Sequence, residues 1–334
     1  MRPPPAPLSV EAAGDAPNQV WAARAGRRFT GRAAIDGETF YGAGVDRKVY
    51  AVDLASGAVR WSAGLSGIIT GGVLLSGDTV YAATSRPTGR VFAFDRATGR
   101  KLWQSGTGPI EAPLATWRGT LIASTQLGEV LGLNPATGII KWRRWAGVSR
   151  VAPVPADSIG VLVATADSLF VIAAADGRIV RRARSPGTIL SSWVALDTSL
   201  VAGTTDSLIV SVRPGDLGID WMVRLDAPVL ASPAAIGDTL YTVTRRGTLY
   251  RIEVDSAPQA EMVVALDWAV TAPVAVIDGE ILLGGADGMI RALTPDGAER
   301  WRLQLLRPID LGPVALADGL LAIGGDGDLH RYRR

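Results

Sequence analysis

The sequence predicts an all-β chain folded as an eight-bladed β-propeller of four-stranded antiparallel blades, and three observations predict it. A short phrase recurs eight times at a period of about forty residues, and its fullest copies run Ala51-Val52-Asp53-Leu54-Ala55-Ser56-Gly57-Ala58-Val59-Arg60-Trp61 and Ala93-Phe94-Asp95-Arg96-Ala97-Thr98-Gly99-Arg100-Lys101-Leu102-Trp103. Two further turn signals keep phase with that phrase in every copy. The last copy lacks a fourth strand, while the chain carries a spare strand at its other end. A unit of this size cannot bury its own apolar face and must stack on neighbours, and four strand-sized segments per period of about forty is the pattern of a propeller.

Within each copy the first hairpin turn is marked by pairs such as Asp36-Gly37, Gly77-Asp78, Arg118-Gly119 and Asp278-Gly279, and the second by Asp46-Arg47, Gly89, Gly128 and Asp287-Gly288. These residue types tolerate the dihedrals of tight hairpins. The third turn is the Thr-Gly of the phrase: Ser56-Gly57, Thr98-Gly99, Thr137-Gly138, Asp176-Gly177 and Asp296-Gly297, degrading around Gly215 and Ala257. Between the turns lie alternating or wholly apolar runs such as Thr79-Val80-Tyr81-Ala82-Ala83 and Glu280-Ile281-Leu282-Leu283, rich in strand formers.

The phrase ends in a tryptophan slot on the outer strand, filled at Trp21, Trp61, Trp103, Trp142, Trp221 and Trp301, with Arg181 and Met262 in the two gaps. A large flat side chain there packs against the next blade, so these six tryptophans read as structural. Trp117, Trp145, Trp193 and Trp268 fall outside the slot and are the candidates for exposed contacts. The final copy stops at three strands near Leu329-His330-Arg331-Tyr332, and Gln19-Val20-Trp21-Ala22-Ala23-Arg24 fits the vacant outer position. Pairing of Val20 to Arg24 with Leu329 to Tyr332 would remove two open sheet edges. Residues 19–334 thus form one domain, preceded by a Pro-rich extended leader over residues 1–18.

Composition narrows the function classes. The formal net charge is +2 and the basic residues, nearly all Arg, are spread through the repeats, so no stripe points to nucleic acid. No apolar run reaches the length of a membrane-spanning helix, which takes about 20 residues. The chain has no cysteine and a single histidine, His330, which occupies a strand position held elsewhere by Tyr50, Phe92 and Phe170 and reads as a core substitute. Ser-His and Cys-His catalysis would rest on that one residue, and a two-histidine metal site is excluded within one chain. Most carboxylates sit in turns, where Asp bonds its own backbone. Glu111 and Asp310 differ, lying at the start of innermost strands beside Ala112-Pro113 and Gly312-Pro313, where a solvated channel rim is the favoured reading over a cation site, which needs six or more oxygens. The residues therefore give no catalytic, cofactor-binding or metal site.

The phrase Ala-x-Asp-x-x-Thr-Gly-x-x-x-Trp, with innermost strands starting at Ser232-Pro233, Ala272-Pro273 and Gly312-Pro313, resembles the repeat of the PQQ-like β-propeller family over residues 19–334. Among its non-enzymatic members the chain is most similar to the lipoproteins that accompany the outer-membrane β-barrel assembly machine of Gram-negative bacteria. That resemblance implies a non-catalytic, monomeric envelope scaffold in the periplasm, tied to the inner face of the outer membrane only through a lipid anchor, whose loops dock a barrel-assembly protein. It further implies that Trp145, Val148 and Arg150 in Trp145-Ala146-Gly147-Val148-Ser149-Arg150 match the docking connection between the third and fourth repeats. The alternatives are a quinone-dependent dehydrogenase, against which the missing cysteine pair and the short chain argue, and an extracytoplasmic sensing propeller.

Overall fold

The middle strands of each repeat are apolar on both faces, and in the fold both faces are covered. A computed structural model describes residues 16–254, 258–305 and 307–334, and among these there is no helix. The first blade runs from an innermost strand, Phe29–Ile35, through Thr39–Gly44 and Lys48–Asp53 to an outer strand, Val59–Gly64. Blades 2 to 7 repeat this order over 69–106, 115–145, 154–184, 194–224, 234–265 and 275–304. Blade 8 consists of Val314–Leu316, Gly319–Ile323 and Asp328–Arg333, and its outer strand is Asn18–Arg24 from the start of the chain. All pairings within blades are antiparallel, and an eight-bladed propeller results.

Alternation along each strand sends successive side chains to opposite blades. Tyr41 and Ala43 face blade 2, joining Ile69, Val80 and Phe92, while Phe40 faces blade 8, joining Leu321, Ile323 and Leu329. Each neighbouring pair of blades encloses an apolar cluster of this kind, the last pair included, so the core is a ring of interfaces.

The expected clasp is present. Trp21 opposes Arg331, Ala22 His330, Ala23 Leu329 and Arg24 Asp328, with Asn18 opposite Arg333 at the other end. One detail differs: the register shifts between Gln19 and Trp21, so Val20 stands in a bulge and is exposed rather than paired. The shift delivers Trp21 to the slot. Arg24 fixes the ladder's end, its Nε and Nη2 donating to Asp328 at 2.6 and 3.0 Å.

The repeated phrase acquires a physical meaning at the blade joints. Asp53 Oδ1 accepts from the Ser56 backbone N–H and hydroxyl, and Gly57 closes the turn on the Asp53 carbonyl at 2.8 Å with φ at +73°. With Arg60 and those donors around it, the Asp53 carboxyl is lowered to about 2. The preceding blade's tryptophan then lies on the turn glycine and donates Nε1–H to a turn carbonyl: Trp21 to Leu54, Trp61 to Arg96, Trp103 to Pro135 and Trp142 to Ala174, each at 2.9 Å. The residue opposite the indole is small for Trp61, Trp103, Trp142, Trp221 and Trp301, namely Ala51, Ala93, Gly132, Ser211 and Ala292, whereas Trp21 of the clasp opposes Arg331.

The two gaps resolve differently. Arg181 does occupy the slot, opposite Val171. Met262 does not: Arg251, the equivalent of Ala51, pairs with Glu261, and Met262 opposes Tyr250 and is exposed. The strand bulge, which in blade 1 follows Ala51, lies before Tyr250 in blade 6 and shifts the count by one. The degraded turn at Ala257 lies outside the described residues, as does all but the end of the leader.

Candidate functional site

Because a blade's strands alternate in direction, its second hairpin turn and the connection to the next blade share one face, and its first and third turns, as in blade 1, share the other. The connection after blade 3 is held from within: Ala146 and Gly147 both donate to the Gly128 carbonyl, at 2.9 and 3.0 Å, and Ser149 and Val151 are buried. Trp145, the last residue of the outer strand Ile140–Trp145, is 71% exposed, and Val148 is 43% exposed. At the corresponding strand ends other blades have Gly64, Gly106 and Arg184.

Trp145 and Val148 wall a crevice of about 380 Å³ that opens between blades 3 and 4. Blade 4 supplies the opposite side with Phe170, Ile179, Asp167 and Arg182. Phe170 is only 5% exposed and joins the cluster of Trp142, Val163 and Ile172, so the floor is continuous with the interblade core. The Arg182 guanidinium stands 5.3 Å from the Phe170 ring centroid and donates to Ser168 Oγ at 3.3 Å. The site is therefore a slot with an apolar floor and a cationic lip.

The structure brings Trp145 and Val148 together but not Arg150. Arg150 alternates with buried Ser149 and Val151, is absent from the crevice, and approaches Glu111 of blade 3 at 4.0 Å. Both members are well exposed, a pairing of little energetic weight. Asp310 does not join Glu111 either, since it pairs with Arg28 at 2.8 Å. Among the described residues no three His, Cys, Asp or Glu side chains are grouped so as to hold a metal ion.

Trp117, Trp193 and Trp268 are half-buried members of interblade clusters rather than contact residues. His330 is 3% exposed, stacked on Tyr332, and burial lowers its pKa against the opposing pull of Asp328 and Asp326. Sequence reasoning gave Phe170 only as a strand position equivalent to His330 and did not single out Ile179 or Arg182 as site residues. The available signal was Arg181 in a tryptophan slot, marking this stretch as unlike its equivalents.

The family model described as outer membrane protein assembly factor BamB matches residues 9–150 and 87–216, together well over half of the chain. The outer membrane protein assembly factor BamB of Bordetella pertussis is 25% identical over 282 residues, spanning 77% of this chain and 71% of that protein. That of Pseudomonas aeruginosa is 31% identical over 187 residues, 50% of this chain and 48% of that protein. In fold, BamB from Moraxella catarrhalis superposes with a TM-score of 0.82 at 17% identity, covering 96% of this chain and all of that one. A europium-containing methanol dehydrogenase superposes with a TM-score of 0.71 at 12% identity over 92% of this chain and 83% of that one, a likeness of fold alone.

Proposed function

Because the chain belongs to the family of the outer membrane protein assembly factor BamB, we propose that it is a non-catalytic envelope scaffold that docks a protein of the outer-membrane barrel-assembly apparatus. It works at the periplasmic side of the outer membrane, as a monomer, and Trp145 with Val148 forms the docking element. The observation that carries this reading is the 71% exposure of Trp145 at the lip of an apolar crevice. A large exposed aromatic beside a pocket is the typical anchor of a protein interface. Arg150 belongs to the rim of this surface, since its contact with Glu111 leaves it outside the crevice.

The test is capture of the barrel-assembly protein from envelope extracts by the wild-type chain and by Trp145→Ala, Val148→Ala and Arg150→Ala variants. Trp145→Ala is expected to weaken capture about tenfold or more, with an unchanged melting temperature because the indole is not in a tryptophan slot. Arg150→Ala should change it by less than about threefold. Undiminished capture by the Trp145→Ala, Val148→Ala double variant overturns the assignment.

A further inference from the structure

The chemistry around the crevice between blades 3 and 4 indicates what kind of segment enters it. On outer strands elsewhere Arg24 pairs with Asp328, Arg60 with Asp53 and Arg302 with Glu299, while Arg224 reaches only the Asp206 carbonyl. At this seam three arginines have no carboxylate partner among the described residues. Arg144 reaches across to blade 4 and donates Nε–H to the Gly177 carbonyl at 2.8 Å. Arg182 spends its hydrogen bond on the Ser168 hydroxyl and lies over Phe170. Arg184, exposed at the end of the same strand, makes no side-chain hydrogen bond or ion pair among the described residues. Asp167 is the one carboxylate lining the crevice, and it accepts from Thr165 Oγ1 at 3.3 Å.

We propose that this crevice seats an extended acidic segment of the protein partner, with an apolar side chain inserted over Phe170 between Trp145 and Val148 and flanking carboxylates paired with Arg182 and Arg184. The inference rests on the docking reading above and deepens it by naming the chemistry of the docked segment. Insertion strips water from the exposed faces of Trp145, Val148 and Ile179, which stabilises the complex by apolar burial. The flanking carboxylates meet guanidinium groups already placed by the strand, and paired planar hydrogen bonds favour carboxylate over other acceptors. Phe170 is recessed, so a flat protein surface does not reach it and a protruding segment does.

The experiment titrates the full chain with a fluorescently labelled synthetic peptide carrying one phenylalanine between two glutamates in a Gly-Ser context. Two control peptides replace the glutamates by lysine or the phenylalanine by serine. Saturable binding of the first is expected, with a loss of about tenfold or more for either control. Arg184→Ser, which removes no side-chain hydrogen bond or ion pair among the described residues, should weaken binding of the acidic peptide and leave the melting temperature unchanged, while Arg182→Glu with Arg184→Glu should transfer preference to the lysine peptide. Equal binding of acidic and basic peptides, indifference to Arg182 and Arg184, or a self-associated chain that the same charge variants dissociate would overturn the proposal. If the peptide binds as expected but does not compete with capture of the barrel-assembly protein, the segment chemistry stands and the docking reading falls. If capture depends on Trp145 while the acidic peptide does not bind, the docking reading stands and this proposal falls.

Discussion

The indole of Trp61 rests on Gly99 of the next blade, so closely that a Cβ at residue 99 would lie 2.5 Å from Trp61 Cδ2, while Trp61 Nε1 donates to the Arg96 carbonyl of the same turn at 2.9 Å. Tryptophan and glycine in the repeated phrase are thus two halves of one joint between successive blades. Gly99 is required twice over, by φ at +69° and by the ring above it.

Gly99→Ala is expected to destabilise the domain by more than the ~1–2 kcal/mol of a left-handed alanine, because the indole must also move. Trp61→Ala should cost ~3–5 kcal/mol. The double variant should fall well short of the sum, since both changes break the same joint. Urea unfolding midpoints of the four proteins measure this, and additive effects would show that the contact is incidental.

Arg181 and Leu217 depart from the phrase together. Leu217 holds the turn-glycine position, with its N–H on the Arg213 carbonyl at 2.9 Å and φ at +63°, and its side chain is buried in the blade 4 to blade 5 cluster, where no indole covers the turn. Arg181→Trp alone should destabilise by ~1–3 kcal/mol through overpacking. Leu217→Gly alone should lose ~2–4 kcal/mol of burial, partly offset by relief of the positive φ. Combined, the two should recover at least ~1 kcal/mol relative to the sum. Calorimetry on the cycle checks it, and strict additivity would separate the two positions.

Removal of residues 1–26 should lower the melting temperature and promote association, because it strips Trp21 and Arg24 from the clasp and leaves the edge of Asp328–Arg333 open. An unchanged melting temperature and an unchanged sedimentation coefficient would refute closure through the N-terminal strand. Arg24→Ala, which removes only the pairs to Asp328 and Asp326, should show a smaller effect of the same sign.

His330 makes the clasp sensitive to acid. Its folded pKa is lowered from 6.5 by burial, with Asp328 and Asp326 partly opposing, so below the unfolded value the unfolded chain binds the proton more readily. Stability is therefore full above pH 6.5 and falls as pH drops from there toward the folded pKa. Melting temperatures between pH 7.5 and 5.0 should decline, and His330→Phe, the residue type found at Phe92 and Phe170 in blades 2 and 4, should flatten the decline. Parallel curves for the two proteins would assign the acid sensitivity to other groups.

The period of the phrase, its three turn signals and the missing fourth strand of the last repeat were enough to read the eight blades and the clasp. These are local or counting properties, because turn chemistry and alternation act over a few residues and a repeat carries its own register. What the chain order does not encode is which side chains face each other across a blade joint. Glu261, and not the Met262 that counting assigns, stands opposite Arg251, because a bulge moved. Arg150 stands two residues from Val148 yet approaches Glu111 instead of lining the crevice, a placement set by the path of the connection between blades and not by spacing along the chain. Phe170 and Arg182 meet Trp145 only because blade 4 packs on blade 3, and the crevice belongs to that packing. The sequence by itself determined the repeat and its closure, and the tertiary structure decided the surface, since a contact between blades is a property of two distant segments brought together by the burial of the faces between them.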